Sequence, residues 1–439
     1  MRPKNISWLS LILFLAGTAW VAAADRPYLR AAARAAGWIE SAAAATPQGT
    51  VWPAVPPDPA TIQSDLYSGV AGPVLFFLEM NRATADRSYL DKAIQGADFL
   101  LAGLAAEKDM GFYTGLAGTA FVLEESYKLS GLERHRAGFL RALEVLRAKA
   151  AKSGRGVEWT NVTDIISGSS GIGLFLLYAA GELNDASLVT LAGQVGDRLI
   201  ELGRAERGGL KWAMSPDFPR LMPNFSHGTA GVAYFLATLY RQTKKKEYLE
   251  AALAGAKYLQ AVADIEGDGC LIFHNEPDGL KLYYLGWCHG PAGTARLFER
   301  LFEVTQDETW KNWMLKSARS ILRSGIPEKQ TPGFWNNVGL CCGSAGVADF
   351  FLGLHRKTKD QACLDFALRL TVDLLSKAAR DRDNLKWVQA EHRTKPDLLQ
   401  AQTGLMQGAA GVGLWLLRLD AFYQGRKPGI ILPDDPFGN

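Results

Sequence analysis

The sequence contains a short glycine motif seven times, and this repetition limits the folds available to the chain more than any other feature. Each copy has a glycine, two further residues, a second glycine and then an apolar run, as in "SHGTAGVAYFLATL". Successive copies are 46 to 65 residues apart, and their first glycines are Gly69, Gly115, Gly168, Gly228, Gly290, Gly343 and Gly408. Seven copies predict a repeat architecture in which each unit buries its apolar face against its neighbours.

Each unit is predicted to be a helical hairpin. The run after the second glycine is apolar nearly all round, which indicates an inner helix buried on several sides. Stretches between the copies, such as "KEYLEAALAGAKYLQAVAD", have apolar residues at three- and four-residue spacing, which indicates an outer amphipathic helix. We expect the first glycine to allow a turn with positive φ and the second to allow close backbone approach. The predicted fold is all-α, an α/α toroid (double-layer helical barrel) of seven hairpins in one domain over residues 25–439, with an open solenoid as the alternative.

Three of the five cysteines occupy two positions of this repeat. When the copies are aligned by their first glycine, the position before it holds His227, His289 and Cys342 in the fourth, fifth and sixth copies. The position before that holds Cys288 and Cys341 in the fifth and sixth copies. Because all inner helices of a toroid begin at the same end and adjacent units are neighbours, we predict that Cys288, Cys341 and Cys342 meet at that end.

Three cysteines in one cluster favour Zn²⁺, a borderline-soft ion that sulfur and nitrogen ligands bind well. Three protein ligands would leave one tetrahedral position open, as a catalytic zinc requires. The alternatives are a closed site completed by His289 or His227, and a metal-free set of thiols or a disulfide. The remaining cysteines, Cys270 and Cys363, could form a disulfide with each other if the compartment is oxidising.

The two ends of the chain differ in composition from the repeats. Residues 1–24 have early basic residues, an apolar stretch and a run of alanines, which is the layout of a secretory signal peptide. We therefore expect export to the periplasm or the extracellular space, without stable membrane insertion after cleavage; an uncleaved membrane anchor is the alternative. Residues 426–439 are rich in Pro, Gly and Asp and predict an extended tail. The net charge of +3, with acids and bases mixed along the chain, gives no indication of a nucleic acid partner.

Taken as a set, several segments resemble the lanthionine synthetase C-like proteins. These are the seven glycine turns together with "TDIISGSSGIG" at 163–173, "NFSHGTAG" at 224–231, "GWCHG" at 286–290 and "CCG" at 341–343. The resemblance covers nearly all of the chain after residue 24. It implies an α/α toroid that holds one zinc ion at the end of the barrel.

The same resemblance implies roles for particular residues. The zinc ligands would be Cys288, Cys341 and Cys342, the last of which is Cys where the family usually has His. His227 and Asp164 match two further functional positions of the family. Cyclases of bacterial lanthipeptides often have Arg four residues before the first of these cysteines, whereas this chain has Tyr284 there.

The implied reaction is the addition of a thiol to a carbon–carbon double bond. A zinc-bound substrate thiol becomes a thiolate near neutral pH and adds to a dehydroamino acid in a peptide, which forms a thioether. His227 would protonate the developing enolate, and Asp164 would assist that proton transfer. The expected partner is a thiol-containing peptide or a small thiol such as glutathione. The purely structural alternatives are a His227 bonded to backbone at the start of a helix and an Asp164 that serves as a helix N-cap.

Two other functions are compatible with a helical barrel. A glycosidase-like protein would need two carboxylates at the barrel mouth, for which Asp65, Asp164, Asp349 and Glu276 are candidates. No motif pairs these carboxylates, and this reading leaves the cysteine positions unexplained. The other alternative is a non-catalytic protein that binds zinc or thiols. The sequence favours a zinc-dependent enzyme over both and makes no prediction of the oligomeric state.

Overall fold

The computed structural model describes residues 26–438, so the predicted signal peptide lies outside the described part of the chain. These residues form fourteen α-helices in two concentric rings. The inner helices are α2 (Ala71–Thr84), α4 (Leu116–Ser130), α6 (Ser169–Leu183), α8 (Thr229–Thr243), α10 (Pro291–Thr305), α12 (Ser344–Thr358) and α14 (Ala409–Tyr423). The outer helices are α1 (Pro27–Ser41), α3 (Arg87–Gly103), α5 (Glu133–Lys149), α7 (Ala186–Leu202), α9 (Lys246–Val262), α11 (Glu308–Arg323) and α13 (Gln361–Ser376).

The rings close, which confirms the predicted toroid over the open solenoid. Each inner helix contacts the next one along the chain, and α14 contacts α2. Six hairpins pair an inner helix with the outer helix that follows it, whereas the seventh pairs α14 with α1. The last hairpin therefore joins the two ends of the helical region. No helix in residues 26–438 is both long enough and apolar enough to cross a lipid bilayer.

Short antiparallel strands link many of the outer helices to the next inner helix. Four two-stranded hairpins pair β1 (Ala44–Thr46) with β2 (Gly49–Val51), β3 (Ala151–Ser153) with β4 (Gly156–Glu158), β5 (Arg204–Glu206) with β6 (Gly209–Lys211), and β7 (Asp264–Glu266) with β8 (Gly269–Leu271). A three-stranded sheet after α13 has the order β11 (Leu399–Ala401), β10 (Asn384–Ala390), β9 (Ala378–Asp381). In this sheet Asn384 pairs with Asp381 and Val388 pairs with Ala401.

The turn from an inner to an outer helix is short, and local chemistry explains it. After α6, Asn184 adopts the left-handed conformation (φ 51°) and ends the helix. The next residue, Asp185, accepts a hydrogen bond from the amide of Ser187 at 2.8 Å and begins α7. The same sequence of a left-handed residue and an Asp N-cap recurs after α2, α10 and α12.

The glycines of the motif act through space rather than through positive φ. The expectation of positive φ at the first glycine is wrong, because φ lies between −156° and −104° at the six first glycines that precede α4 to α14. A Cβ on Gly228 would instead overlap the carbonyl oxygen of Met222. The second glycine allows close approach as predicted, since a Cβ on Gly293 would overlap the carbonyl oxygen of Trp287.

Seven backbone hydrogen bonds tie the glycine turns into a closed circle at the end where the inner helices begin. Each bond runs from an amide just before one motif to a carbonyl just before the next, and the seventh returns to the first. The bonds are Tyr67 N to Tyr113 O (2.9 Å), Tyr113 N to Ile166 O (2.9 Å), Ile165 N to Ser226 O (3.1 Å), Ser226 N to Cys288 O (2.9 Å), Cys288 N to Cys341 O (3.2 Å), Cys341 N to Met406 O (2.9 Å) and Met406 N to Tyr67 O (2.9 Å). This circle sets the positions of the residues that precede each motif.

The segment after α14 runs inside the inner ring. Residues 426–438 contain no helix or strand, and Ile430, Asp434, Asp435 and Phe437 are buried. Their neighbours belong to several inner helices, so the predicted extended tail occupies the bore of the barrel. The contacts include Tyr234 of α8, Arg296 of α10, Phe350 of α12 and Arg418 of α14.

Candidate metal centre

The structure brings the sulfurs of Cys288, Cys341 and Cys342 together at the circle of glycine turns. The sulfur of Cys342 lies 3.2 Å from that of Cys288 and 3.3 Å from that of Cys341, and all three sulfurs lie within 4.8 Å of one another. All three side chains are buried and free of disulfides. The backbone bond from Cys288 N to Cys341 O holds the two motifs in register.

This donor set fits a zinc ion. Zinc–sulfur bonds of about 2.3 Å in a tetrahedral arrangement place the sulfurs within about 4 Å of one another. In residues 26–438, no histidine nitrogen or carboxylate joins the three sulfurs within ligand range. The closed site completed by His227 or His289 is therefore not the arrangement in the structure, and three ligands would leave a fourth tetrahedral position open.

The three thiols also differ in acidity. Hydrogen bonds from Cys288 and Cys342 lower the pKa of the Cys341 thiol, with further help from Tyr67 and the charge of His227. Burial raises the pKa of Cys288. The cluster thus favours ionisation of Cys341 over that of Cys288, and metal binding would release the remaining thiol protons.

Two polar residues, Tyr67 and Gln407, support the cluster. Both occupy repeat positions that were aligned when the seven copies were compared by their first glycine. Gln407, in the column of His227 and Cys342, directs its amide nitrogen at the Tyr67 hydroxyl (3.1 Å) and toward the sulfur of Cys342 (3.8 Å). Asn337 fixes that orientation by donating to Gln407 Oε1 at 2.8 Å. Sequence reasoning did not assign these residues, although the columns contained the signal for Tyr67 and Gln407.

His227 and Asp164 form a hydrogen-bonded pair beside the sulfurs, in which Asp164 is buried and His227 is half-buried. The Nδ1 atom of His227 lies 2.6 Å from Oδ2 of Asp164. The other oxygen, Oδ1, accepts from the amides of Ser167 (2.9 Å) and Gly168 (2.8 Å), so Asp164 also orders the turn that begins α6. Burial lowers the pKa of His227, but the hydrogen bond and charge of Asp164 outweigh it, and the pKa is raised overall. The His227 side chain is 29% exposed and faces the cavity described next.

A cavity of about 200 Å³ opens from the three cysteines to the surface. Its lining includes four of the six histidines in the chain, namely His227, His274, His289 and His392. His289 does not point at the cysteines; its ring packs 4.4 Å from that of His274 and 5.5 Å from that of His227. Burial lowers the pKa of both His274 and His289, so these imidazoles are neutral at pH 7.

Tyr284, four residues before Cys288, also lines the cavity. Its hydroxyl accepts a hydrogen bond of 3.4 Å from the Nε atom of Arg393, which belongs to the loop between β10 and β11. A guanidinium group therefore stands at the cavity through a different unit of the repeat. No pattern in the sequence connected residue 393 with residue 284, because the contact depends on the path of a long loop.

The carboxylates considered for a glycosidase do not form a pair. Asp65 caps its own turn through the amide of Ser68 at 2.7 Å. Asp349 is bound to Arg418 in the bore at 2.7 Å, and Glu276 lies 3.6 Å from Arg207. The fourth candidate, Asp164, is committed to His227. The structure thus gives the glycosidase alternative no pair of acids at the mouth.

Cys270 and Cys363 do not form the disulfide that the sequence left open. Both are free thiols. The sulfur of Cys270 lies 3.6 Å from the hydroxyl of Ser317 on α11, and that of Cys363 lies 3.9 Å from Asp360 at the start of α13. Cys270 lies on β8 and Cys363 lies on α13, and each sulfur has its own local partner.

Several solved structures resemble this fold at low sequence identity. The structure titled "Nisin cyclase" superposes with a TM-score of 0.62 at 18% identity, over 82% of this chain and 89% of that one. The GH76A alpha-1,6-mannanase from Salegentibacter sp. HEL1_6 superposes with a TM-score of 0.51 at 14% identity, over 89% and 99% of the two chains. Because both identities are low, these likenesses show the α/α toroid alone.

A family model carries the comparison further. The model described as "Lanthionine synthetase C-like protein" matches residues 61–432, which include all seven glycine motifs and the three clustered cysteines. The match spans far more than half of the chain. Together with the closed double ring of helices, it shows that this chain belongs to the lanthionine synthetase C-like family.

Proposed function

We propose that this protein is a zinc-dependent enzyme that adds a thiol to a dehydroamino acid, or a similar electrophile, in a peptide. The observation that carries the proposal is the convergence of three free cysteine sulfurs beside the His227–Asp164 pair, in a cavity open to solvent. The family membership and the fold shared with a structure titled nisin cyclase support the same class of thioether-forming peptide modification.

Cys288, Cys341 and Cys342 would hold the ion. When bound there, Zn²⁺ supplies a Lewis acid that keeps a coordinated substrate thiol deprotonated near neutral pH. Three anionic sulfur ligands leave the site with net negative charge, which makes a fourth sulfur more electron-rich and more nucleophilic. Gln407 restrains the sulfur of Cys342, and Tyr67 restrains that of Cys341.

The chain's own residues handle the protons. Asp164 holds Nδ1 of His227 in its protonated form, so that Nε2 is the atom available to the cavity. As the thiolate forms a carbon–sulfur bond to the β-carbon of the double bond, electrons move onto the carbonyl and an enolate develops. His227 then delivers a proton to the α-carbon, and the thioether is complete with no other co-reactant. The neutral His274 and His289 leave His227 as the acid in this wall of the cavity.

The substrate in this proposal is a thiol-containing peptide or a small thiol, together with a peptide that carries the electrophile. Export rests on residues 1–24 alone and stays a prediction. A reducing partner or the metal itself would protect the cysteines in an oxidising compartment, because a coordinated thiolate is not free to form a disulfide.

Metal content and thiol addition together test the proposal. Elemental analysis of the purified protein should give one zinc per chain, and this zinc should be lost in Cys342→Ala but kept in the control Cys363→Ser. Mass spectrometry of a dehydroalanine-containing peptide, incubated with glutathione and the zinc-loaded protein, should show a gain of one glutathione. If the protein binds zinc but adds neither glutathione nor a cysteine of the same peptide to the dehydroalanine, it is a zinc-binding protein without this activity. If the wild type binds no zinc, the proposal is overturned.

A further inference from the structure

The tail inside the barrel makes its deepest contacts directly beneath the metal centre. Two arginines hold it in place. Nη1 of Arg296 donates to the carbonyl oxygen of Asp434 at 3.0 Å, and Nη1 of Arg418 lies 3.0 Å from Oδ2 of Asp435. Arg296 is on α10, the helix that begins directly after the Cys288 motif. The tail is therefore fixed to the same repeat unit that supplies a metal ligand.

The Asp434 carboxylate accepts hydrogen bonds from two aromatic side chains. The indole nitrogen of Trp287 donates to Oδ2 at 3.2 Å, and the hydroxyl of Tyr113 lies 3.2 Å from each of the two oxygens. Asp434 is 1% exposed, so water does not compete for this carboxylate. An indole N–H has few alternatives in such a site, and without Asp434 it would be buried without an acceptor.

Trp287 connects these contacts to the metal centre. It directly precedes Cys288, and it lines both the metal cavity and a smaller cavity of about 60 Å³ in the bore beside the tail. Its ring packs against Tyr113 at 5.3 Å and Phe225 at 5.8 Å between centroids. Trp287 thus forms the floor of the metal cavity and separates it from the bore.

We propose that Asp434 is a positioning residue for the metal centre. By holding the Trp287 indole, the tail fixes the backbone at Cys288 and keeps the floor of the metal cavity closed toward the bore. The inference rests on the metal site of the proposed function, although its geometry needs only the three clustered thiols. Asp434 would thus influence the geometry of three cysteines that lie more than ninety positions earlier in the chain.

A double-mutant cycle on zinc affinity tests the route through Trp287. The full chain is prepared with Asp434→Ala, Trp287→Phe and both changes, and zinc dissociation constants are measured by competition with a chromophoric chelator. Changes in groups that orient metal ligands weaken metal binding by roughly 10-fold to 100-fold. Because Asp434 acts through one intervening residue, we expect Asp434→Ala to raise the zinc dissociation constant by about 10-fold. In the Trp287→Phe background, the same change should have no further effect. An equal loss in both backgrounds, or no loss in either, would overturn the inference.

A neighbouring carboxylate provides the matched control. Asp435 is in the same tail and is also buried, but it forms ion pairs with Arg418 and Arg296 and no hydrogen bond with Trp287. Asp435→Ala should lower the melting temperature without changing the zinc dissociation constant. If both variants weaken zinc binding equally, the tail only stabilises the barrel and Asp434 has no positioning role. Should Asp434→Ala fail to fold, Asp434→Asn replaces it, since the amide keeps one acceptor oxygen and loses the other.

Alkylation of metal-free protein gives a readout that does not depend on zinc. Iodoacetamide labelling followed by peptide mapping reports Cys288, Cys341 and Cys342 separately from Cys270 and Cys363. In Asp434→Ala the clustered cysteines should react several-fold faster than in the wild type, while the other two should not change. If the wild type binds no zinc, the proposed function fails, yet faster labelling confined to the cluster would still support the positioning role, and unchanged labelling would reject it.

Discussion

Oδ2 of Asp164 lies 2.6 Å from Nδ1 of His227, while Oδ1 of the same carboxylate accepts the two backbone amides that begin α6. One side chain thus orders the third repeat's turn and orients an imidazole from the fourth. Gly168, not Asp164, is the N-cap residue of α6, although Oδ1 of Asp164 orders the turn before that helix. Because the two oxygens serve different partners, this role leaves Oδ2 for the contact with His227. The pair is preorganised before any substrate arrives.

Replacing Asp164 with Asn separates these two tasks. The amide oxygen can still accept from the backbone, but the amide nitrogen would face Nδ1 of His227 and favour the opposite tautomer. We expect the rate of thiol addition to fall by about 10-fold to 100-fold, which is within the range that general acid–base catalysis contributes. Zinc content should stay at the wild-type level, and loss of zinc in this variant would show that the pair supports the metal rather than the proton transfer.

The pH profile of the same variant gives a second prediction. The Asp164 contact raises the pKa of His227, so the acid form persists to higher pH in the wild type. Activity that needs protonated His227 is present below this pKa and is lost as the pH rises through it. In Asp164→Asn the descending limb should therefore move to lower pH in initial-rate measurements. If the descending limb of the pH–rate profile stays at the same pH, the loss of activity at high pH comes from a group other than His227.

Position 342 allows a test of ligand chemistry. Cys342→Ala removes a ligand, so it should weaken zinc binding by more than the roughly 100-fold that is the upper end for changes in groups that only orient the ligands. Cys342→His should keep zinc, since an imidazole nitrogen is an ordinary zinc ligand and the fourth position stays open. Competition with a chelator gives the zinc dissociation constants of the wild type, Cys342→Ala and Cys342→His for this comparison. Equal zinc affinity in all three would exclude Cys342 from the site.

The second glycine of the fifth motif predicts a specific loss of stability. A Cβ in Gly293→Ala would overlap the Trp287 carbonyl oxygen, which the circle of turns prevents from moving. We expect the free energy of unfolding to fall by about 3 kcal/mol, as for other overpacked sites. Gly103→Ala is the control, because a Cβ there meets nothing within 4 Å and φ is −78°. Urea denaturation should show no loss for the control.

His135 predicts how stability depends on pH at a position away from the metal centre. It is fully buried, with Nδ1 3.0 Å from the Ser126 hydroxyl and Nε2 3.0 Å from Asp98, and burial lowers its pKa despite that carboxylate. Below about pH 6.5 the unfolded chain binds a proton at this residue that the folded chain does not, so stability falls as the pH decreases. The wild type should lose up to about 1.4 kcal/mol per pH unit more than His135→Gln in urea titrations between pH 7 and pH 5. Equal losses in both proteins would contradict this assignment.

The sequence by itself was sufficient to predict the closed ring of helices and the meeting of the three cysteines. The seven glycine motifs repeat one local structure, and units with the same local structure place equivalent residues at equivalent points of a closed ring. The columns before Gly290 and Gly343 therefore predicted the meeting of Cys288, Cys341 and Cys342. The same logic could have included Gln407 and Tyr67, which occupy those columns in the seventh and first copies.

Only the tertiary structure decided the contacts that break the repeat. Arg393 reaches Tyr284 from a loop that the other units lack, and Asp434 reaches Trp287 by way of a tail that enters the bore. The motif glycines likewise need space rather than positive φ, which depends on carbonyl groups that packing brings near. Repetition makes local geometry readable from the sequence, whereas a single contact between distant segments depends on the path of the whole chain and leaves no pattern in either segment.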